Sequence, residues 1–191
     1  MTLAHPVGKM SYAEYLALEE RTQTKHEYVN GEVHAMAGGS IEHGALAVAI
    51  SAALVNALGD RPCRVLSADV KLSIEATGLA TYPDVSVVCG RLETAKDDEN
   101  AIINPVLLVE VLSDSTEAYD RGEKSAHYRR IPGLREIVLV SQKSPLVEVH
   151  RKNSKGNWEL VAEAGKGERV ELESVGVAVD VDAIYRNPLA T

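Results

Sequence analysis

The sequence predicts an α/β domain in which an α+β mixed sheet is flanked by helices. Three observations predict it. Two segments carry apolar residues at helical spacing, several short runs carry strand patterns, and from Pro145 onward the chain reads as a β meander. The 191 residues suit one domain, 1–191, with an N-terminal helix and hairpin at 11–38, a core at 43–142 and the meander at 145–186.

The elements follow in order. Ser11 and Glu14 form a capping-box pattern, so a short helix runs from about Tyr12 to Arg21. Asn30-Gly31 stands between two apolar-rich runs within Glu27–Met36, a strong hairpin signal because both residues tolerate positive φ. Gly38-Gly39-Ser40 is a loop. From His43 to Leu58 the sequence is helical: Leu46, Ile50, Leu54 and Leu58 recur at every fourth residue, many Ala lie between them, and Gly59 stands just past the end. Val70, Leu72 and Ile74 alternate as in a half-buried strand. Asp84–Cys89 and Pro105–Leu112 are strands, the second apolar enough for a sheet centre. A second long helix covers about Glu117 to Arg130, ended by Pro132-Gly133. Glu136–Ser141 is another apolar strand. The meander comprises Leu146–Arg151, a Lys155-Gly156 turn, Trp158–Ala162 and Arg169–Leu172, with a short helix near Asp182–Tyr185.

Composition excludes some functions. Hydrophobic residues are 45% and charged residues 25%, ordinary for a globular chain. The net charge of −8 rules out a simple basic nucleic-acid coat protein. Phe is absent, which argues against rows of aromatic rings stacking bases. No stretch approaches the roughly 20 apolar residues that span a bilayer, and the N-terminal stretch lacks the apolar core of a secretory leader. Cys63 and Cys89 are isolated, without CxxC spacing. These readings point to a cytoplasmic protein with no membrane partner. Charge is uneven: residues 121–155 hold 9 Lys/Arg against 3 Asp/Glu. That segment is either a solvated face or a basic wall beside an acidic site, suited to a polyanion.

Two acids stand out. Asp84 follows Pro83 at the start of a buried-looking strand, and Glu110 lies inside the most apolar strand. A buried carboxylate costs several kcal/mol unless paired, protonated or bound to a cation. Either acid could instead be a strand-end group that reaches water or a salt bridge. Together they would offer hard oxygen ligands suited to Mg²⁺ or Mn²⁺. On the following helix, Asp120, Lys124 and either His127 or Tyr128 share a face. Lys124 could orient a water or stabilise phosphate charge, or be a surface residue paired with Asp120 or Glu123. Asp120 could be a supporting acid, as could Asp69, or could stabilise the helix N-terminus. His43 could touch a phosphate or serve as a cap. Glu32 could point into the site or be an exposed hairpin acid. Ser113, Ser115 and Thr116 read as a helix cap.

Pro83-Asp84, Glu110-Val-Leu-Ser113 and Lys124 on the next helix resemble the PD-(D/E)-x-K nuclease superfamily. The usual lysine position, two after the glutamate, is Leu112 here, so the pattern looks like the variant whose lysine has migrated to the adjoining helix. More closely, the chain resembles the bacterial restriction-endonuclease-like family filed as a domain of unknown function. Glu27-Tyr-Val-Asn-Gly-Glu32 with Met36, His43, Tyr82–Val88, Glu110–Thr116, Asp120, Lys124 and Tyr128 carry the likeness. The segment 131–142 departs from that pattern, lacking its aromatics and terminal Asp. The resemblance implies a restriction-endonuclease-like core and Mg²⁺- or Mn²⁺-dependent hydrolysis of DNA. It places the metal on Asp84, Glu110 and the Val111 carbonyl, with Lys124 as catalytic lysine. The N-terminal acid that completes the site could be Glu42 or Glu32, with Glu27 behind them. A homodimer is expected by analogy with enzymes that make double-strand breaks. The rival readings are a catalytically degenerate nuclease fold that binds nucleic acid or protein, and a metal-dependent hydrolase of small phosphorylated molecules.

Overall fold

The computed structural model describes residues 8–36, 38–187 and 189. Residues 1–7 of the N-terminal stretch read above for a leader lie outside them. In chain order the elements are β1 (Gly8–Lys9), α1 (Tyr12–Arg21), β2 (His26–Val29), β3 (Glu32–Ala35), α2 (Ile41–Leu58), β4 (Cys63–Ser67), β5 (Lys71–Ile74), β6 (Leu79–Thr81), β7 (Val85–Cys89), β8 (Thr94–Ala95), β9 (Asp98–Ile102) and β10 (Leu107–Leu112). A helical segment follows, made of α3 (Glu117–Tyr119), a π turn (Asp120–Lys124) and α4 (Ser125–Tyr128). Then come β11 (Glu136–Ser141), β12 (Leu146–Lys152), β13 (Trp158–Gly165), β14 (Arg169–Leu172), β15 (Val177–Asp180) and α5 (Val181–Ile184).

The strands form two main sheets where the sequence led us to expect one. A six-stranded mixed sheet has the order β13-β12-β11-β10-β7-β4, with β10 and β11 parallel at its centre. A second sheet, β1-β3-β2-β6-β5-β9-β8, grows outward from the Asn30-Gly31 hairpin, and β14-β15 form a separate pair. Asn30 has φ 48° and Gly31 φ 98°, the twin positive values that a tight hairpin turn requires. The Val70–Ile74 run belongs to the second sheet. Strands β1, β4, β6, β8, β9 and β15 were not anticipated; β1, β6 and β8 have only two, three and two residues, too few for alternation to register.

Strand parity sorts the core. Leu107, Val109 and Val111 face α2, whose Leu46, Ile50, Leu54 and Leu58 pack on them, together with the β14-β15 pair. Leu108 and Leu112 face the other way, toward Tyr128, Ile131, Leu134 and the Leu72, Ile74 and Leu79 of the second sheet. Tyr15 of α1 covers the hairpin at Val33.

Helix α2 begins two residues before the expected His43, because the Ser40 hydroxyl caps it by accepting from the His43 N–H at 3.1 Å. At 18 residues, uncharged from Gly44 to Leu58, it is long and apolar enough by length and composition to cross a membrane, contrary to the expectation that no stretch approaches this. Its Leu46, Ile50, Leu54 and Leu58 are instead engaged by the core. The cysteines also needed correction. Cys63 and Cys89 stand directly opposite in the β4–β7 ladder and are joined in a disulfide.

Candidate active site

The site is built from a break in a ladder. β7 and β10 pair antiparallel as far as Val85 and Val109. One register step further the chain meets Asp84 and then Pro83, which has no N–H to donate. The strands part there, and the Val111 N–H donates to Asp84 Oδ2 at 2.7 Å. The other oxygen of Asp84 pairs with His43 Nε2 at 2.9 Å. His43 Nδ1 lies 3.2 Å from Gln142 Nε2, and Gln142 Oε1 accepts from the Ser40 hydroxyl at 3.0 Å. With the Gln142 amide donating to Nδ1, the imidazole carries its proton on Nε2 and donates to Asp84.

Glu110 shares its face of β10 with Leu108 and Leu112 and is only 2% exposed. The Tyr128 hydroxyl donates to Glu110 Oε1 at 2.5 Å, and Lys124 Nζ approaches the same oxygen at 3.0 Å. Lys124, 5% exposed, is not a surface residue. The π turn sets its place: the wider winding turns both Asp120 and Lys124 inward, and the Ser125 hydroxyl donates to the Asp120 carbonyl at 2.6 Å. Lys124 Nζ also stands 3.6 Å from Asp120 Oδ1 and 3.8 Å from Glu27 Oε1. Glu27 arrives from β2 of the second sheet and accepts from the Thr81 hydroxyl.

Electrostatics follow from this crowding. Burial pushes the Glu110 carboxyl well above its ordinary range; Lys124 pulls it back, while Asp84 and Asp120 push it further up. Burial likewise raises Asp120. For Lys124, burial works against the charge, but Glu110, Tyr128, Glu27 and Asp120 outweigh it and hold the ammonium firmly protonated. The hydrogen bond to Asp84 raises His43 above its usual value, against burial.

Of the residues singled out in the sequence, the fold brings Asp84, Glu110, Lys124, Asp120 and His43 together. Glu42 is exposed in the first turn of α2, and Glu32 sits beside the hairpin turn, with His34 at 3.8 Å from it. The acid that reaches the cluster is Glu27, the last of the three considered. Strand parity does not separate the two hairpin acids, since Glu27 and Glu32 share a face; Glu27 lies on β2, which pairs with β6, whereas Glu32 lies on β3 beside the turn and pairs with β1. Asp69 is a surface acid paired with Lys25 at 2.6 Å. Val111 touches the site through its N–H, which donates to Asp84. Ser113, Ser115 and Thr116 hydrogen-bond to one another, and Ser113 Oγ accepts from the Thr116 N–H at 3.2 Å in the turn before α3, but the Thr116 side chain does not cap that helix, contrary to expectation. Gln142 gave no sequence signal; it follows β11 and is read only from the contact it makes.

Much of the basic segment is paired within the fold. Arg121 pairs with Glu117 and Glu148, Lys143 with Glu117 and Asp114, Arg151 with Glu136 and Glu173, and Lys124 is buried in the cluster. Arg135 and Lys152 lie at the start of β11, about 20 Å along the strand from Gln142.

A family model described as "Uma2: Putative restriction endonuclease" matches residues 12–182. The chain belongs to the Uma2 family. Two proteins of Synechocystis sp. are similar to it. One, "Uncharacterized protein slr1290", is 41% identical over 181 residues, which cover 95% of this chain and 94% of that protein. The other, "Uncharacterized protein sll1609", is 33% identical over 163 residues, covering 85% and 92%. Among solved structures, "a putative nuclease belonging to DUF820 from Anabaena variabilis" superposes with a TM-score of 0.73 at 18% identity, over 92% of this chain and 97% of that one. The nuclease-like fold that the restriction-endonuclease-like resemblance implied is therefore the observed one.

The donor set suits a hard divalent cation. Glu27, Asp84, Glu110 and Asp120 set four carboxylates, all oxygen donors, against the ammonium of Lys124. Among the described residues no three of His, Cys, Asp and Glu already form a metal cage. Asp84 would have to exchange one of its present partners for an ion.

Proposed function

We propose that this protein is an endonuclease that hydrolyses DNA phosphodiester bonds with Mg²⁺ or Mn²⁺. The observation that carries the reading is the convergence of Asp84, Glu110 and Lys124, from a strand start, a strand centre and a π turn, on one buried cluster in a chain of this family. Asp84 and Glu110 would hold the ion, with Asp120 and Glu27 adding negative charge around it. When bound, such an ion lowers the pKa of a water and offsets phosphate charge. The chain's own residues do the rest. Val111 N–H and His43 fix the Asp84 carboxylate in orientation, and Tyr128 and Lys124 fix Glu110. Lys124, kept protonated by its acidic neighbours, can orient the attacking water through an N–H and stabilise charge that develops on the phosphate. Asp84 and His43 are the less buried members, so the phosphate would enter from the side of the α2 N-terminus.

The test is cleavage of supercoiled plasmid and short single-stranded DNA with Mg²⁺ or Mn²⁺, with Asp84→Ala and Lys124→Ala proteins purified identically. Cutting by the natural protein, lost in both variants, supports the reading. Equal cutting by all three refutes the site. No cutting by any, together with no Mn²⁺ binding in calorimetry, moves the protein to a degenerate fold that binds without reacting.

A further inference from the structure

Helix α2 has a second face. Its inner side fills the core, but Ile41 is 95% exposed, Val48 70% and Val55 54%. Ala45, Ala52 and Gly59 are exposed on the same side. In order, Ile41, Ala45, Val48, Ala52, Val55 and Gly59 are spaced alternately by four and three residues, the repeat of a coiled-coil seam. No residue of this seam is charged. Such a row on a free surface meets only water.

We propose that this face is the two-fold interface of a homodimer, with α2 packed antiparallel against α2 of a second copy. The seam alternates large and small residues, and that alternation selects the orientation. Parallel packing would place like layers together, Val48 on Val48 and Ala45 on Ala45, so crowded and hollow layers would alternate. Antiparallel packing about the middle of the helix sets Ile41 against Gly59, Ala45 against Val55 and Val48 against Ala52. Every layer then joins one large and one small residue, at uniform volume. The face is thus complementary to itself, as an isologous interface must be. An 18-residue helix is about 27 Å long, so two such faces with their margins cover about 1,000 Å², near the threshold for a specific interface. The pairing leaves His43 of each copy at opposite ends of the helix pair, about 21 Å apart along its axis. The inference stands independently of the nuclease reading.

Sedimentation velocity of the full chain from about 1 to about 100 µM tests it. A dimer is expected, and Val48→Asp should weaken it by at least about 100-fold, because the acid enters the seam twice. Val48 lies outside the core, so the melting temperature of the separated monomers should stay that of a folded chain. Cysteines fix the direction: Ala45→Cys mixed with Val55→Cys should cross-link between chains on oxidation, while either alone should not, its own copies being about 15 Å apart along the axis. A monomer throughout the range, a dimer unmoved by Val48→Asp, or cross-linking of Ala45→Cys alone would each overturn the proposal.

Discussion

Replacing Lys124 with Met keeps the length of the side chain and removes its charge. The consequence for folding is set by Glu110, which would remain on an apolar face with the Tyr128 hydroxyl as a remaining close donor. Removing one partner of a buried pair leaves an uncompensated charge and costs about 3–5 kcal/mol. For a chain of this size that lowers the melting temperature by about 6–20 °C. The cost should also depend on pH. Glu110 already binds its proton more tightly in the folded state than the ordinary value of 4.5, and losing Lys124 removes the main influence holding it down. A carboxyl raised by folding is protonated more in the native than in the unfolded state, so stability falls as pH rises from 4.5 through the folded pKa. The Lys124→Met protein should therefore lose stability relative to the natural one once pH rises above the folded pKa of Glu110 in the natural protein, by up to about 1.4 kcal/mol for each pH unit until Glu110 of the variant itself ionises. Urea denaturation followed by circular dichroism at several pH values measures this directly. A penalty below about 1 kcal/mol, or one equal at both ends of the range, would show that Lys124 and Glu110 do not form the buried pair described.

Other perturbations probe different parts of the molecule. Glu136→Gln removes a fully buried carboxylate that accepts from Arg151 Nε at 2.6 Å and from the N–H groups of Glu173 and Ser174 at 3.1 and 3.0 Å. It should cost about 3 kcal/mol and loosen the β14-β15 pair in hydrogen exchange; unchanged protection there would contradict this anchoring. Cys89→Ser opens a cross-link spanning 26 residues and should lower stability by about 3 kcal/mol. A reducing agent should lower the melting temperature of the natural protein similarly and leave the variant unmoved. Glu27→Gln should weaken Mn²⁺ binding in calorimetry by about tenfold if Glu27 supports the ion, whereas Glu32→Gln and Glu42→Gln should not.

What the sequence revealed of this site depended on how each residue announces itself. Asp84 and Glu110 were legible because a carboxylate in an apolar strand is costly, and that cost is visible in composition alone. Lys124 was legible through helical spacing from Asp120, since positions four apart share a face whether the winding is α or π. The π turn itself was not, because nothing in Asp120–Lys124 distinguishes five residues per closed ring from four. Glu27 was ranked behind Glu32 and Glu42 because its role depends on β6, a three-residue strand distant in sequence. The second sheet was hidden for the same reason: its pairings join short strands across long intervals, and register between them is settled by packing. The disulfide was missed because Cys63 and Cys89 become neighbours only once β4 is recognised as a strand.

The displaced lysine shows why this cluster tolerates rearrangement. A lysine two residues beyond Glu110 on the same strand would share its face and reach the same space from within the sheet. Leu112 stands there instead and packs against Tyr128 and its neighbours. The charge is delivered by the helical segment that β10 leads into, through a long and flexible stem. The π turn supplies what the change of element requires, because one additional residue per turn rotates Asp120 and Lys124 toward Glu110 while Tyr128, one α turn further on, still reaches the same carboxylate oxygen. Under the proposed nuclease reading, the chemistry needs an ammonium within hydrogen-bonding distance of Glu110 and enclosed by carboxylates, and two different backbone routes would satisfy it. Restoring the usual arrangement as Leu112→Lys with Lys124→Leu tests this equivalence. If the position of the charge is what counts, the double variant should recover most of the stability lost on Lys124 removal, and its pH dependence should return to that of the natural protein. If it recovers neither, the helix contributes more than a charge, and the π turn itself is part of the site.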